Sequence, residues 1–114
     1  MVIFFFLDKP EDVRLRPNIT NSTVCAEYIV NFTCSADANP AVDSYILFED
    51  NSVVNTSSLG AWSIRMKTAG QFVYRCEASN SVGFDKSTEI SVNVEGELRW
   101  QPKLLFYMYN LSLP

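Results

Sequence analysis

The chain has 114 residues, enough to bury one core and too few for two. Its 9 Lys and Arg stand against 13 Asp and Glu, a net charge of −4, so no basic face is available to neutralise a phosphate backbone and nucleic acid is not an expected partner. Histidine is absent, which excludes Ser-His-Asp and Cys-His nucleophile systems and the common His-bearing catalytic zinc sites.

Cysteines 25, 34 and 76 have no CxxC spacing, and the glycines at 60, 70, 83 and 96 form no phosphate-cradling loop. No cofactor, no metal and no catalysis are expected. Stretches rich in Val, Ile, Phe, Tyr and Thr alternate with period two between Asn, Ser, Gly and Pro clusters, the pattern of an all-β chain of short strands.

In chain order, "MVIFFFL" is apolar but lacks a basic leader segment and a small-residue cleavage site, so residues 1–9 read as a flank and not as a signal peptide. "PED" (10–12) and "FED" (48–50) read as solvated turns. "YIVNFTCSA" from Tyr28 places Val30, Phe32 and Cys34 on one face and Asn31 and Thr33 on the other. "SYILF" (44–48) and "AWSIRM" (61–66) are further strands. "FVYRCEA" groups Phe72, Tyr74, Cys76 and Ala78 inward and turns Val73, Arg75 and Glu77 outward. A turn at Asn80–Gly83 follows, and "STEISVNV" then sets Ile90, Val92 and Val94 on one face. From residue 97 the chain is again flank: "LLFYMYNLSLP" has six apolar or aromatic residues in a row, far short of a membrane span, so no membrane insertion by this segment is expected. The domain is expected over 10–96. The flanks read as edges of a truncated or imperfect gene model, or else as an added edge strand or apolar interface.

Cys34 and Cys76 stand 42 residues apart on separate inward faces, with Tyr two positions before the second and an alternating strand after it. This arrangement resembles the immunoglobulin superfamily sandwich. The most specific piece, "YRCEASNSVG" (74–83), resembles the F strand and F–G hairpin of intermediate-set (I-set, or C2-type) domains, with "FTCSADANPAVDSYILFEDN" resembling strands B and C and "GAWSI" strand E. The resemblance covers about Pro10 to Val94. It implies an all-β, immunoglobulin-like sandwich of two antiparallel sheets, a Cys34–Cys76 disulfide across them, and a tyrosine corner at Tyr74. Two departures stand out: Leu47 occupies the place of the family's strand-C tryptophan, with Trp62 nearby in sequence to fill the core, and Gly70 and Tyr74 are four apart instead of two, a two-residue longer E–F turn.

Five Asn-x-Ser/Thr sequons, at Asn18, Asn21, Asn31, Asn55 and Asn110, exceed the one or two that nine Asn and eighteen Ser and Thr would place by chance. They point to glycosylation and to an extracellular or cell-surface location. Cys25 lies too close along an extended strand to reach Cys34 and too far from Cys76, leaving it unpaired: a free thiol, or one whose partner lies in a neighbouring domain. The resemblance implies a non-catalytic module of cell adhesion or of a receptor ectodomain that binds protein, homophilically or heterophilically, beside neighbouring immunoglobulin domains. A spacer in a tandem array and an intracellular muscle-type filament domain are the alternatives. Sugars at Asn31 and Asn18 would cover the A, B and E strands, so the expected interface is the opposite sheet, through Ile46, Phe48, Val73, Arg75, Glu77 and Glu89.

Overall fold

Alternation decides which side of each strand is dry. The computed structural model describes residues 7–96, and the strands that build the core follow the pattern. In β3 (Ile29–Asn39) Val30, Phe32 and Cys34 are buried between exposed neighbours, and in β7 (Gly70–Ser79) Tyr74, Cys76 and Ala78 are buried. In β9 (Ile90–Glu95) Val92 and Val94 are buried. With Val13 and Leu15 of β1 (Asp8–Pro17), Leu47 of β4 (Ser44–Glu49), Trp62 of β6 (Ala61–Arg65) and Met66, these side chains form one core.

Two sheets enclose it. One has the order β1-β3-β6; the other runs β2 (Thr23–Cys25), β9, β7, β4, β5 (Ser52–Ser57), with β8 (Phe84–Lys86) pairing on β7 beyond β9. All pairs are antiparallel except β2 with β9, which run parallel. The two sheets are built of antiparallel pairs as expected, and β2 adds one parallel edge pair. After Pro17 the chain crosses from one sheet to the other without reversing direction, so its next strand lands parallel to the last. β1 also begins at Asp8, so Asp8 and Lys9, expected in the flank, belong to a strand of the sandwich. The C-terminal flank, 97–114, and residues 1–6 lie outside the described residues.

Of the two acidic groups expected as solvated turns, only the second reaches a turn. Glu11 and Asp12 sit in a doubly shifted part of the β1–β3 ladder, where Asp12 has φ 55°, and Glu49 is the last residue of β4. Only Asp50 turns: with Asn51 it forms the two-residue β4–β5 hairpin, both residues at positive φ (49° and 69°), as a type I′ turn requires. Asp50 is anchored as well, its Oδ1 accepting from Val73 N at 2.9 Å.

Cys34 and Cys76 form the disulfide between the sheets, with Cα atoms 6.3 Å apart. Leu47 is the register partner of Cys76 and is fully buried in the tryptophan's expected place. Trp62 fills the core from the other sheet, opposite Phe32, and its indole Nε1 is buried without a hydrogen-bond partner. Gly60, at φ 74°, lies so close to the strand that a Cβ there would meet the Cys34 carbonyl oxygen at 2.5 Å; its own carbonyl accepts from Cys34 N at 2.8 Å. That position tolerates only glycine.

Candidate functional site

The alternation that buries Leu47 and Cys76 turns their neighbours outward. Phe48 and Arg75 are register partners, as are Ile46 and Glu77, so four of the six expected interface residues form one patch on the outer face of the larger sheet. The Arg75 guanidinium carbon lies 3.9 Å from the Phe48 ring centroid, a cation–π stack. Arg75 Nη1 donates to Glu77 Oε2 at 2.7 Å, and these side chains are only 16% and 24% exposed. The guanidinium is thus held between an aromatic face and a carboxylate, flat on the sheet. Val73 adjoins on the same face of β7, two residues before Arg75. Glu89 does not join them. It is exposed in the loop between β8 and β9, because β8 pairs with residues 77–79 of β7 and β9 with residues 70–74, and the chain steps across between the two. At that step buried Ser87 replaces a strand residue: its Oγ accepts from Cys76 N at 3.0 Å and its N donates to Cys76 O at 2.8 Å.

Tyr74 is wholly buried, its ring 4.6 Å from that of Phe32. The expected tyrosine corner would bond the hydroxyl to turn backbone; here the hydroxyl donates to the Glu49 carboxylate and lies 3.4 Å from Met66 Sδ. Met66 is buried beside the hydroxyl, and the register that pairs Glu49 with Tyr74 supplies the acceptor. Burial, and then the bond to Glu49, push the Tyr74 hydroxyl well above the ordinary tyrosine range. Its pKa is raised relative to the unfolded value of about 10, so the neutral phenol stabilises the fold fully below pH 10, and this contribution is lost as pH rises beyond it. Denaturation midpoints of the native chain should therefore fall above pH 10 more steeply than those of Tyr74→Phe. Parallel curves would show that Tyr74 ionises freely in the folded state.

Asn80, part of the "NSVG" turn, has a structural role that turn propensity does not reveal. It is 8% exposed and its amide is saturated: Nδ2 donates to the carbonyls of Asp8 and Pro40, both at 2.8 Å, while Oδ1 accepts from Val82 N at 2.9 Å and Gly83 N at 3.1 Å. One side chain thus joins the start of β1, the β3–β4 turn and the β7–β8 hairpin. Lys9 adds a surface tie nearby, its Nζ 3.0 Å from Asp85 Oδ2, which holds the Asp85 carboxyl below its ordinary range.

The sequons within the described residues are all exposed. Asn18 and Asn31 are neighbours: Asn31 N donates to Asn18 Oδ1 and Asn18 N to Asn31 O, both at 2.9 Å, and Ser63 Oγ donates to Asn31 Oδ1 at 2.5 Å. Asn31 lies on the outer face of the smaller sheet, opposite Ser63 of β6. Asn55 lies on β5, paired with Leu47, so its side chain projects to the inner side, away from Phe48 and Arg75, at the overhanging edge. Asn110 is outside the described residues. Cys25 ends β2 opposite Glu95, is exposed and is a free cysteine. It borders a shallow cavity of about 420 Å³ lined in part by Ile19, Val24 and Tyr28.

No family model and no curated protein matches the chain. Solved structures do. The fibronectin(III)-like modules of Clostridium thermocellum CbhA superpose with a TM-score of 0.65 at 12% identity, over 73% of this chain and 94% of that one. The PKD domain of the human VPS10 domain-containing receptor SorCS2 gives 0.64 at 15%, over 84% and 82%. The mouse nectin-like molecule 4 ectodomain (Ig1–Ig3) gives 0.60 at 15%, over 82% of this chain and 32% of that longer one. At these identities the likeness is one of fold. With the inter-sheet disulfide and the sheet order, it makes the chain an immunoglobulin-like β-sandwich.

Proposed function

We propose that this is an extracellular protein-binding module of the I-set or C2 type, spanning about residues 10–96 of a longer ectodomain, and that it binds through the outer face of β4 and β7. The observation that carries this reading is the Phe48–Arg75 stack, flanked by Ile46, Val73 and Glu77, on the face opposite Asn31. Aromatic and arginine side chains held rigidly on a flat surface lose little freedom when a partner covers them. Sugars at Asn18, Asn21 and Asn31 would occupy the other sheet and its border with β2, leaving this face for protein, whether a second copy or another ectodomain. Asn110 would be a fifth site. The disulfide and the sequons favour secretion over an intracellular filament.

The test is full-length ectodomain displayed on cells, scored for aggregation and ligand capture. Phe48→Glu and Arg75→Glu should abolish both while secretion is unchanged. Thr33→Glu and Arg65→Glu, on the opposite sheet, should leave them within about twofold. Equal behaviour of the two pairs would mean that the face docks nothing and the module is a spacer. A mass unchanged by glycosidase would return the filament reading.

A further inference from the structure

A β-sandwich that does not close into a barrel has open strand edges, each a row of backbone groups ready to pair with another strand. Five edges exist among the described strands: β1 and β6 in one sheet, β2, β8 and β5 in the other. Four are blunted by their own residues. β1 carries Pro10, charged side chains and two register shifts around Asp12; β2 and β8 are three residues long, β8 with Asp85 and Lys86; β6 is five residues and exposes Ala61, Ser63 and Arg65. β5 has no such device. Its six residues, Ser-Val-Val-Asn-Thr-Ser, include no charge and no proline, and Val53 and Val54 are 60% and 37% exposed. One side of β5 pairs with β4, and among the described residues no strand pairs with the other.

A neutral strand of this kind meets no like charge when it pairs with an identical one, so a second copy of this chain is the partner best matched to it. Two β5 strands related by a two-fold axis would join their sheets antiparallel, valine against valine. The one unusual feature of β5 is that it contains a sequon, Asn55-Thr56-Ser57, with Asn55 exposed near the middle of the strand.

We propose that an N-linked glycan on Asn55 guards this edge and keeps the chain from pairing through β5. The inference rests on the extracellular reading above, since glycosylation requires the secretory route. In the modification, the anomeric carbon of a lipid-diphosphate-linked oligosaccharide passes to Asn55 Nδ2: a carbon–nitrogen bond forms, the carbon–oxygen bond to phosphate breaks, and Nδ2 loses one proton. Asn55 Oδ1 accepts from Thr56 N at 2.8 Å, a bond that the added sugar leaves in place. A branched, hydrated sugar fixed to an edge strand takes the space an incoming strand needs. It does for β5 what proline and charge do for β1.

The experiment compares secreted full-length chain with Asn55→Gln, Asn55→Gln/Val53→Lys and Asn31→Gln, using peptide mapping for site occupancy and sedimentation velocity over a concentration series. All changed positions are exposed, so the variants should fold. The native chain should carry sugar at Asn55 and sediment as a monomer. Asn55→Gln should double in mass with rising concentration, the added Val53→Lys should return it to monomer, and Asn31→Gln, which removes sugar from the other sheet, should stay monomeric. Sugar at Asn31 with none at Asn55 overturns the proposal alone. So does an Asn55→Gln chain that remains monomeric throughout, or one whose association survives Val53→Lys. A secreted chain without sugar at any sequon overturns the extracellular reading together with this one.

Discussion

Replacing both Cys34 and Cys76 with alanine should lower the unfolding free energy by about 4 kcal/mol, the loop-closure value for a bridge spanning some forty residues. A domain of this size is stable by roughly 5–15 kcal/mol, so the loss is a large share of the total and the variant should unfold at a much lower urea concentration. Apart from the chain's own crossings, the disulfide is the covalent tie between the two sheets, joining β3 in the first to β7 in the second. Urea denaturation followed by tryptophan fluorescence measures the loss, because Trp62 lies in the same core. Cys25→Ser is the control: its side chain is exposed and unpaired, and its midpoint should match the native chain within about 0.5 kcal/mol. A double variant as stable as the native chain would mean that packing alone holds the sheets.

Asn80→Ala should cost about 3 kcal/mol. Truncation deletes four hydrogen bonds at once and leaves peptide groups of Pro40, Val82 and Gly83 without their partner at a part-buried site. Asn80→Asp discriminates further. Its carboxylate still accepts from Val82 and Gly83, but it faces the Asp8 and Pro40 carbonyls with no proton to donate. Burial and those carbonyls raise its folded pKa, so the neutral acid is the form that fits, and stability relative to the native chain should recover below pH 4 and be lost as pH rises. A flat pH dependence relative to the native chain would mean that the four contacts contribute little.

These two sites differ in how far the sequence reveals them. Cys34 and Cys76 stand in strands whose apolar residues alternate, and alternation is a local property: the pleat sends successive side chains to opposite faces whatever the rest of the chain does. Val30, Phe32, Tyr74, Cys76, Val92 and Val94 are therefore legible as core from their own neighbours, and so is the outward set of Ile46, Phe48, Val73, Arg75 and Glu77. Asn80 is legible only as a turn residue, since nothing in "NSVG" shows that the carbonyls of Asp8 and Pro40, 72 and 40 residues away, converge on its amide.

By itself, then, the sequence determined the class of fold, the inward and outward faces of the main strands, the two inward cysteines and the exposed sequons, because each follows from period-two patterning or a short motif. Only the tertiary structure decided that Tyr74 bonds Glu49 and not turn backbone, that Glu89 falls in a loop, that β2 lies parallel to β9, and that β5 is the outermost described strand of the larger sheet. Each of these depends on which strands pair and in what register. Register is a relation between segments remote in sequence, settled when the whole core closes, and no single segment encodes it.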